Sequence, residues 1–176
     1  MKRYRGNYAA FTDRGRDRDN NEDQSGVATN ENGDVLLVVC DGMGGQNKGD
    51  FASKMAIDTM MEAFEQRSRI LFPKRFLTHA VRLANARIFE AAEGNPHYEK
   101  MGTTLVAALL LGKKLYVVNV GDSRCYSYSR FQGLKRLTCD QTYVDYLVRA
   151  GQIKQEETST HPDRPVLMNA LGTSPS

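Results

Sequence analysis

Leu36-Leu37-Val38-Val39-Cys40-Asp41-Gly42-Met43-Gly44-Gly45 opens with five apolar residues and closes on an acid set among glycines. Such an apolar run is favoured where water is excluded, and the glycines beyond it stop a helix, so it reads as a buried strand. Asp41 is thereby carried to the end of a core strand. A carboxylate there, followed by residues with no Cβ to keep a ligand from the backbone, has the layout of a site. Taken alone, the same residues also describe an ordinary Asp-Gly turn.

Upstream, residues 26–29 and 35–40 flank Asn30-Glu31-Asn32-Gly33-Asp34 and read as a hairpin, because Asn-Gly tolerates the positive φ of a tight turn. Before it, residues 13–23 are strongly polar, and residues 8–12 are a short strand candidate. The segment Arg18-Asp19-Asn20-Asn21-Glu22-Asp23 concentrates oxygen donors beside an arginine, yet it fails as a calcium loop. Counted from Asp17, Glu22 stands where the sharp-turn glycine belongs and Ala28 where the bidentate glutamate belongs.

Downstream, Phe51, Met55, Met60 and Phe64 predict an amphipathic helix over 49–66. Leu77, Ala80, Val81, Ala84, Ile88 and Ala91 predict a second over 73–92, ended by Gly94-Asn95-Pro96. Both stripes are expected to pack on a sheet. Residues 103–111, 115–120 and 124–128 are rich in strand formers, and the linkers Gly112-Lys113-Lys114 and Gly121-Asp122-Ser123 suit antiparallel hairpins. A further short strand is expected over 134–137. Thr142-Tyr143-Val144-Asp145 looks like a capping box opening a helix that ends at Gly151.

At 176 residues one domain is the natural size. The 24 basic and 21 acidic residues give a net charge of +3, with no tail or stripe that argues for nucleic acid or a membrane surface. Cys40, Cys125 and Cys139 are an odd number without a Cys-x-x-Cys pair, as expected of reduced thiols. The N-terminus, with Lys2, Arg3 and Arg5, lacks an apolar signal segment, and no stretch spans a bilayer, so the expected compartment is the cytoplasm.

Strands, two helices, then more strands argue for an α+β layered domain rather than a doubly wound parallel sheet. A dinucleotide fingerprint would need glycine at Asn47, and a phosphate loop would need a Gly-Lys-Ser/Thr that is absent. A phosphotransferase with an aspartyl nucleophile would need a second aspartate at Met43.

Five blocks, in order, resemble the metal-dependent protein serine/threonine phosphatases, the PPM or PP2C-like family, in their bacterial form. They are Gly15 to Asp23, Val39-Cys40-Asp41-Gly42-Met43-Gly44-Gly45, Gly102-Thr103-Thr104-Leu105, Asn119-Val120-Gly121-Asp122-Ser123-Arg124, and Leu137-Thr138-Cys139-Asp140-Gln141 with His161-Pro162. The resemblance implies an α-β-β-α sandwich of antiparallel sheets and the hydrolysis of phosphoserine and phosphothreonine in proteins. It implies two Mn²⁺ or Mg²⁺ ions. Asp41 would bridge them, Glu22 and the Gly42 carbonyl would hold one of them, and Asp23 would support the shell.

Arg18 would clamp phosphate, although as a lone feature it is equally a surface arginine paired with Asp17 or Asp19. Asp122 would bind a third, weaker metal, although it also suits a plain hairpin turn. Thr103 and Thr104 are expected to be structural, and Ser123 is not a triad nucleophile. Met43 replaces a histidine of many eukaryotic relatives and cannot transfer a proton. The family carries further metal-binding aspartates in later strands, so residues 1–176 are expected to be one domain truncated at its C-terminal end. Two functions are expected: a phosphatase, or a catalytically silent module binding phosphoproteins or metal. Unpaired strand edges are expected to promote association.

Overall fold

The computed structural model describes residues 6–44, 48–93, 95–98 and 100–175. Lys2, Arg3, Arg5, Gly45, Asn47, Gly94 and Ser176 lie outside the described residues. Strand β1 (Asp23–Thr29) and strand β2 (Val35–Met43) form the expected antiparallel hairpin. Its turn is closed by the Asn30 side-chain oxygen, which accepts the N–H groups of Asn32 and Asp34 at 3.1 and 3.0 Å. Strand β2 runs past Asp41 to Met43. It does so because the two-residue strand β3 (Gly102–Thr103) pairs with Gly42 and Met43.

Strand β4 (Leu105–Leu111) continues the β3 ladder along the side of β2 away from β1 and pairs in turn with strand β5 (Lys114–Val120), giving the order β1-β2-β4-β5, all antiparallel. Helix α1 (Lys48–Glu65) and helix α2 (Pro73–Ala92) follow the predicted stripes, with Met60, Phe64, Leu77, Ala80, Ala84 and Ile88 buried. Both helices cover one face of the sheet. Side chains alternate between faces along a strand, so Leu36, Val38 and Cys40 of β2 meet Leu105, Ala107 and Leu109 of β4 beneath the helices. The opposite face leaves Val39 and Leu115 exposed. The α+β class and the antiparallel pairing agree with the sequence; of the expected layers, the described residues supply one helical layer and one main sheet.

Two expectations are corrected. Residues 8–12 form no strand; they are exposed, Phe11 at 84%, because no neighbouring chain pairs with them. The segment at 124–128 does not extend the main sheet. Strand β6 (Tyr126–Ser129) instead pairs with strand β7 (Gly133–Arg136) in a separate two-stranded sheet. The cause is polar. Gln141 occupies the flank of β5's end: its side chain donates to the Asn119 carbonyl at 3.2 Å and accepts the Gly121 N–H at 3.1 Å, while its own N–H donates to the Gly121 carbonyl.

Helix α3 (Tyr143–Arg149) follows. Thr142 caps it, accepting the Asp145 N–H and donating to the Asp145 carboxylate, and Gly151 with φ +71° lies beyond its end. Among the described residues no helix is long and apolar enough to cross a membrane.

Candidate active site

Asp41 sits where β1 and β2 begin their ladder, directly opposite Asp23. Directly opposed residues project to the same face, so the pairing presses two carboxyls together. Asp41 reaches solvent, yet the surrounding protein displaces enough water to push its carboxyl up, from 3.8 to about 6. Desolvation is the largest cause, followed by the charge of Asp23, a hydrogen bond with Asp23 and the charge of Asp122, with Arg18 pulling the other way. Asp23, Asp122 and Arg18 therefore all act on Asp41 at a single strand end.

The Asp41 backbone is held on both sides. Its N–H donates to Thr104 Oγ1 at 3.0 Å; its carbonyl accepts from the Thr104 N–H at 2.9 Å and from Thr103 Oγ1 at 3.0 Å. Thr104 Oγ1 also pairs with Ser123 Oγ at 2.6 Å, one residue beyond Asp122. Gly121, with φ +91°, lies so close to Thr104 that an added Cβ would stand 2.7 Å from its Cγ2. One buried threonine thus links the Asp41 peptide to the turn bearing Asp122.

Gly42 meets the start of α1 backbone to backbone. A Cβ on it would lie 2.2 Å from the Gly49 carbonyl oxygen and 2.6 Å from that of Glu22. Only glycine allows this approach. The Glu22 carbonyl accepts from Gly42 N–H at 3.1 Å and from Ser53 Oγ at 2.7 Å, so the residue before β1 is tied to both β2 and α1. The loop ahead of it is laced by Thr12 Oγ1, which donates to the Asp23 carbonyl and accepts from the Asn21 amide.

Of the residues singled out in the sequence, Asp23, Asp41, Asp122 and Arg18 come within electrostatic reach, and Glu22 and Gly42 are joined through the backbone. Among the described residues no group of three or more His, Cys, Asp or Glu converges into a ready metal cage. The donor set is nevertheless all oxygen, open to solvent and mutually repulsive, which suits a hard divalent cation.

Thr103 and Thr104 are structural, as expected, and act through their hydroxyls on the Asp41 backbone. Asp140, quoted in the sequence only as part of the fifth block and given no role there, is a buried carboxylate gripped by Arg124 at 2.6 Å and Arg136 at 2.5 Å, and its carbonyl accepts from Arg149 at 3.0 Å.

The structure thus places a carboxylate-bearing strand end in an α+β layered domain, with two helices packed on one face of its sheet. The profile of the family described as Protein phosphatase 2C matches residues 12–162, and the chain belongs to that family. It is 38% identical over 164 residues to serine/threonine phosphatase stp of Listeria monocytogenes, covering 92% of this chain and 65% of that protein. It is 41% identical over 165 residues to the serine/threonine protein phosphatase PstP of Mycobacterium tuberculosis, covering 93% of this chain and 30% of that one. The fold matches the crystal structure of Stp1 from Staphylococcus aureus with a TM-score of 0.87 at 38% identity, over 94% of this chain and 65% of that one. It also matches a PstP catalytic domain in complex with two manganese ions, with a TM-score of 0.80 at 36% identity, over 95% and 67% of the two chains. The chain spans 65% of the length of the Listeria relatives.

Proposed function

We propose that this chain carries the site for metal-dependent hydrolysis of phosphoserine and phosphothreonine in cytoplasmic proteins, with water attacking phosphorus directly. The observation that carries the proposal is the opposed pair Asp23 and Asp41, with the Asp41 carboxyl raised to about 6 beside Asp122 and Arg18. Like charges so placed are relieved only by a proton or a cation. Asp41, Glu22 and the Gly42 carbonyl would hold two Mn²⁺ or Mg²⁺ ions, Asp122 would hold a third and weaker one, and Asp23 would support Asp41. When bound, the cations neutralise charge on the phosphoryl oxygens and lower the pKa of water. The PstP relative with two manganese ions supports this reading.

Arg18 grips two phosphate oxygens with its planar guanidinium. Thr103 and Thr104 keep the Asp41 peptide from drifting as charge changes at its carboxylate. Neither Ser123 nor Cys40 offers a nucleophile, because the Ser123 hydroxyl is paired with Thr104 and burial pushes the Cys40 thiol up to about 12. Met43 has no proton to give, so the departing alkoxide takes one from solvent.

The test is release of phosphate from a phosphothreonine peptide by the 176-residue chain with Mn²⁺ and with chelator, beside Asp41→Asn. Turnover that needs metal and is lost in the variant is the expected result. The second reading is a silent module that binds phosphoproteins or metal through the same Asp41, Glu22 and Arg18. Folded protein that binds the phosphopeptide without releasing phosphate would replace the first reading with the second.

A further inference from the structure

The near balance of 24 basic and 21 acidic residues hides a local asymmetry. Residues 66–89 hold Arg67, Arg69, Lys74, Arg75, Arg82 and Arg87 and not one acid. Between α1 and α2 the chain turns through Leu71 and Phe72, which stand 65% and 70% exposed. A cavity of about 420 Å³ opens there, lined by Arg67, Arg69, Arg75 and His79 around Ile70 and Phe76. Phe76 packs edge-on against the buried Phe64, with ring centroids 6.4 Å apart, so the apolar floor is part of the core and is formed before anything binds. None of the three arginines takes part in an ion pair among the described residues.

We propose that this basic, apolar-floored cavity is a docking site for an acidic segment of a partner protein, one that carries a single aromatic or aliphatic anchor between carboxylates. Guanidinium groups with no internal partner favour an anionic occupant, and the charge match sets both encounter rate and specificity. Concavity decides among anionic partners. A pocket of this volume with a hydrophobic floor takes one inserted side chain, as peptide-binding sites do. A bilayer is flat, and a nucleic-acid strand needs a track of cations rather than a ring about one cavity.

The site lies at the pole opposite Asp41. The Asn32 side chain donates to the Ser68 carbonyl, tying this turn to the β1–β2 turn, and β2 then runs six residues, about 20 Å, to Asp41. A partner seated here leaves the carboxylate end of the sheet uncovered. The inference is independent of the chemistry assigned to that end.

The experiment uses the whole chain and a fluorescein-labelled peptide of about twelve residues, one phenylalanine flanked by glutamates, read by anisotropy at about 50 mM salt. A matched peptide with glutamines, an oligothymidine, and vesicles of phosphatidylcholine with phosphatidylserine are run alongside. The acidic peptide is expected to bind, the glutamine peptide to bind at least about tenfold more weakly, and Arg69→Glu/Arg75→Glu to lose about tenfold in affinity. Phe72→Ser, which leaves every charge in place, is expected to weaken binding less, and thermal melts of both variants report whether they fold.

Equal binding of the acidic peptide to wild type and to the folded double variant would overturn the proposal. So would equal binding of the two peptides, or binding only to the oligonucleotide or the vesicles. Should the double variant not fold, Arg69→Gln alone serves, and unchanged affinity in it together with no loss at about 300 mM salt overturns the proposal.

Discussion

Replacing Thr104 by valine keeps the shape of a fully buried side chain and removes one hydroxyl that serves two partners. The Asp41 N–H loses its acceptor at 3.0 Å, and Ser123 loses the hydroxyl 2.6 Å away. Thr104 is 2% exposed, so water cannot readily replace either contact. Leaving a buried polar group unpaired costs about 1–3 kcal/mol, so the pair sets an expected loss of about 2–4 kcal/mol in urea denaturation.

Thr104→Ser separates the hydroxyl from the methyl. It keeps both hydrogen bonds and surrenders only the methyl on which Gly121 packs, for about 1 kcal/mol. Because Thr104 joins the Asp41 peptide to the Asp122 turn, the valine variant is also expected to bind Mn²⁺ about tenfold more weakly by titration calorimetry, and the serine variant within about twofold of wild type. Two results would refute the reasoning: a valine variant within about 0.5 kcal/mol of wild type, or a serine variant as damaged as valine.

The raised Asp41 carboxyl makes cation binding depend on pH. Metal competes with a proton on a group titrating near 6, so Mn²⁺ affinity is expected to fall about tenfold per unit below pH 6 and to level off above it, and a flat calorimetric profile from pH 5 to 7 would be the contrary result. In the metal-free chain the sign runs the other way: the protonated fold is favoured, the contribution is whole below 3.8 and is lost as pH rises through about 6, so Asp41→Asn raises the melting temperature at pH 7 without metal. Cys40, wholly buried and pushed up to about 12, is expected to resist iodoacetamide at pH 8 while the exposed Cys139 is alkylated, as peptide mass spectrometry will read. Asp140→Ala strips two arginines of their counter-ion and is expected to cost about 2–3 kcal/mol in chemical denaturation, less than for a fully buried pair because the arginine ends reach solvent.

The parts of the fold carried by local pattern were legible in the sequence. An uninterrupted apolar run made β2 visible, and Pro73 with a regular aliphatic stripe marked both ends of α2. Asp41 could be picked out because a strand must end before its glycines, and the strand's end was set at Cys40, three residues short of Met43, because β3, far along the chain, extends that strand. What pattern could not carry was partnership at a distance. The link at Gly121-Asp122-Ser123 is short enough for a hairpin, but Gln141, twenty residues on, takes up the hydrogen bonds at β5's end and sends β6 elsewhere. Residues 8–12 have strand composition and no strand to pair with among the described residues. The opposition of Asp23 to Asp41, which gives the site its charge, is a matter of register that emerges only once the hairpin turn is known. Thr103 and Thr104 could be read as structural but not tied to Asp41, because their hydrogen-bond partners there lie about sixty residues away.

The segment carrying β6, β7 and α3 contributes no residue to the main hydrophobic cluster and is fastened to the sheet through Asn119, Gly121 and Gln141. In evolutionary terms it is cheap to rewrite. Substitutions and length changes at the Ser129–Gly133 tip, where Phe131 stands 88% exposed, do not propagate into the core, so drift there alters what the protein meets on that side without endangering the strand that bears Asp41. The fold thus keeps its carboxylate-bearing strand and this outlying surface on separately mutable parts of one chain.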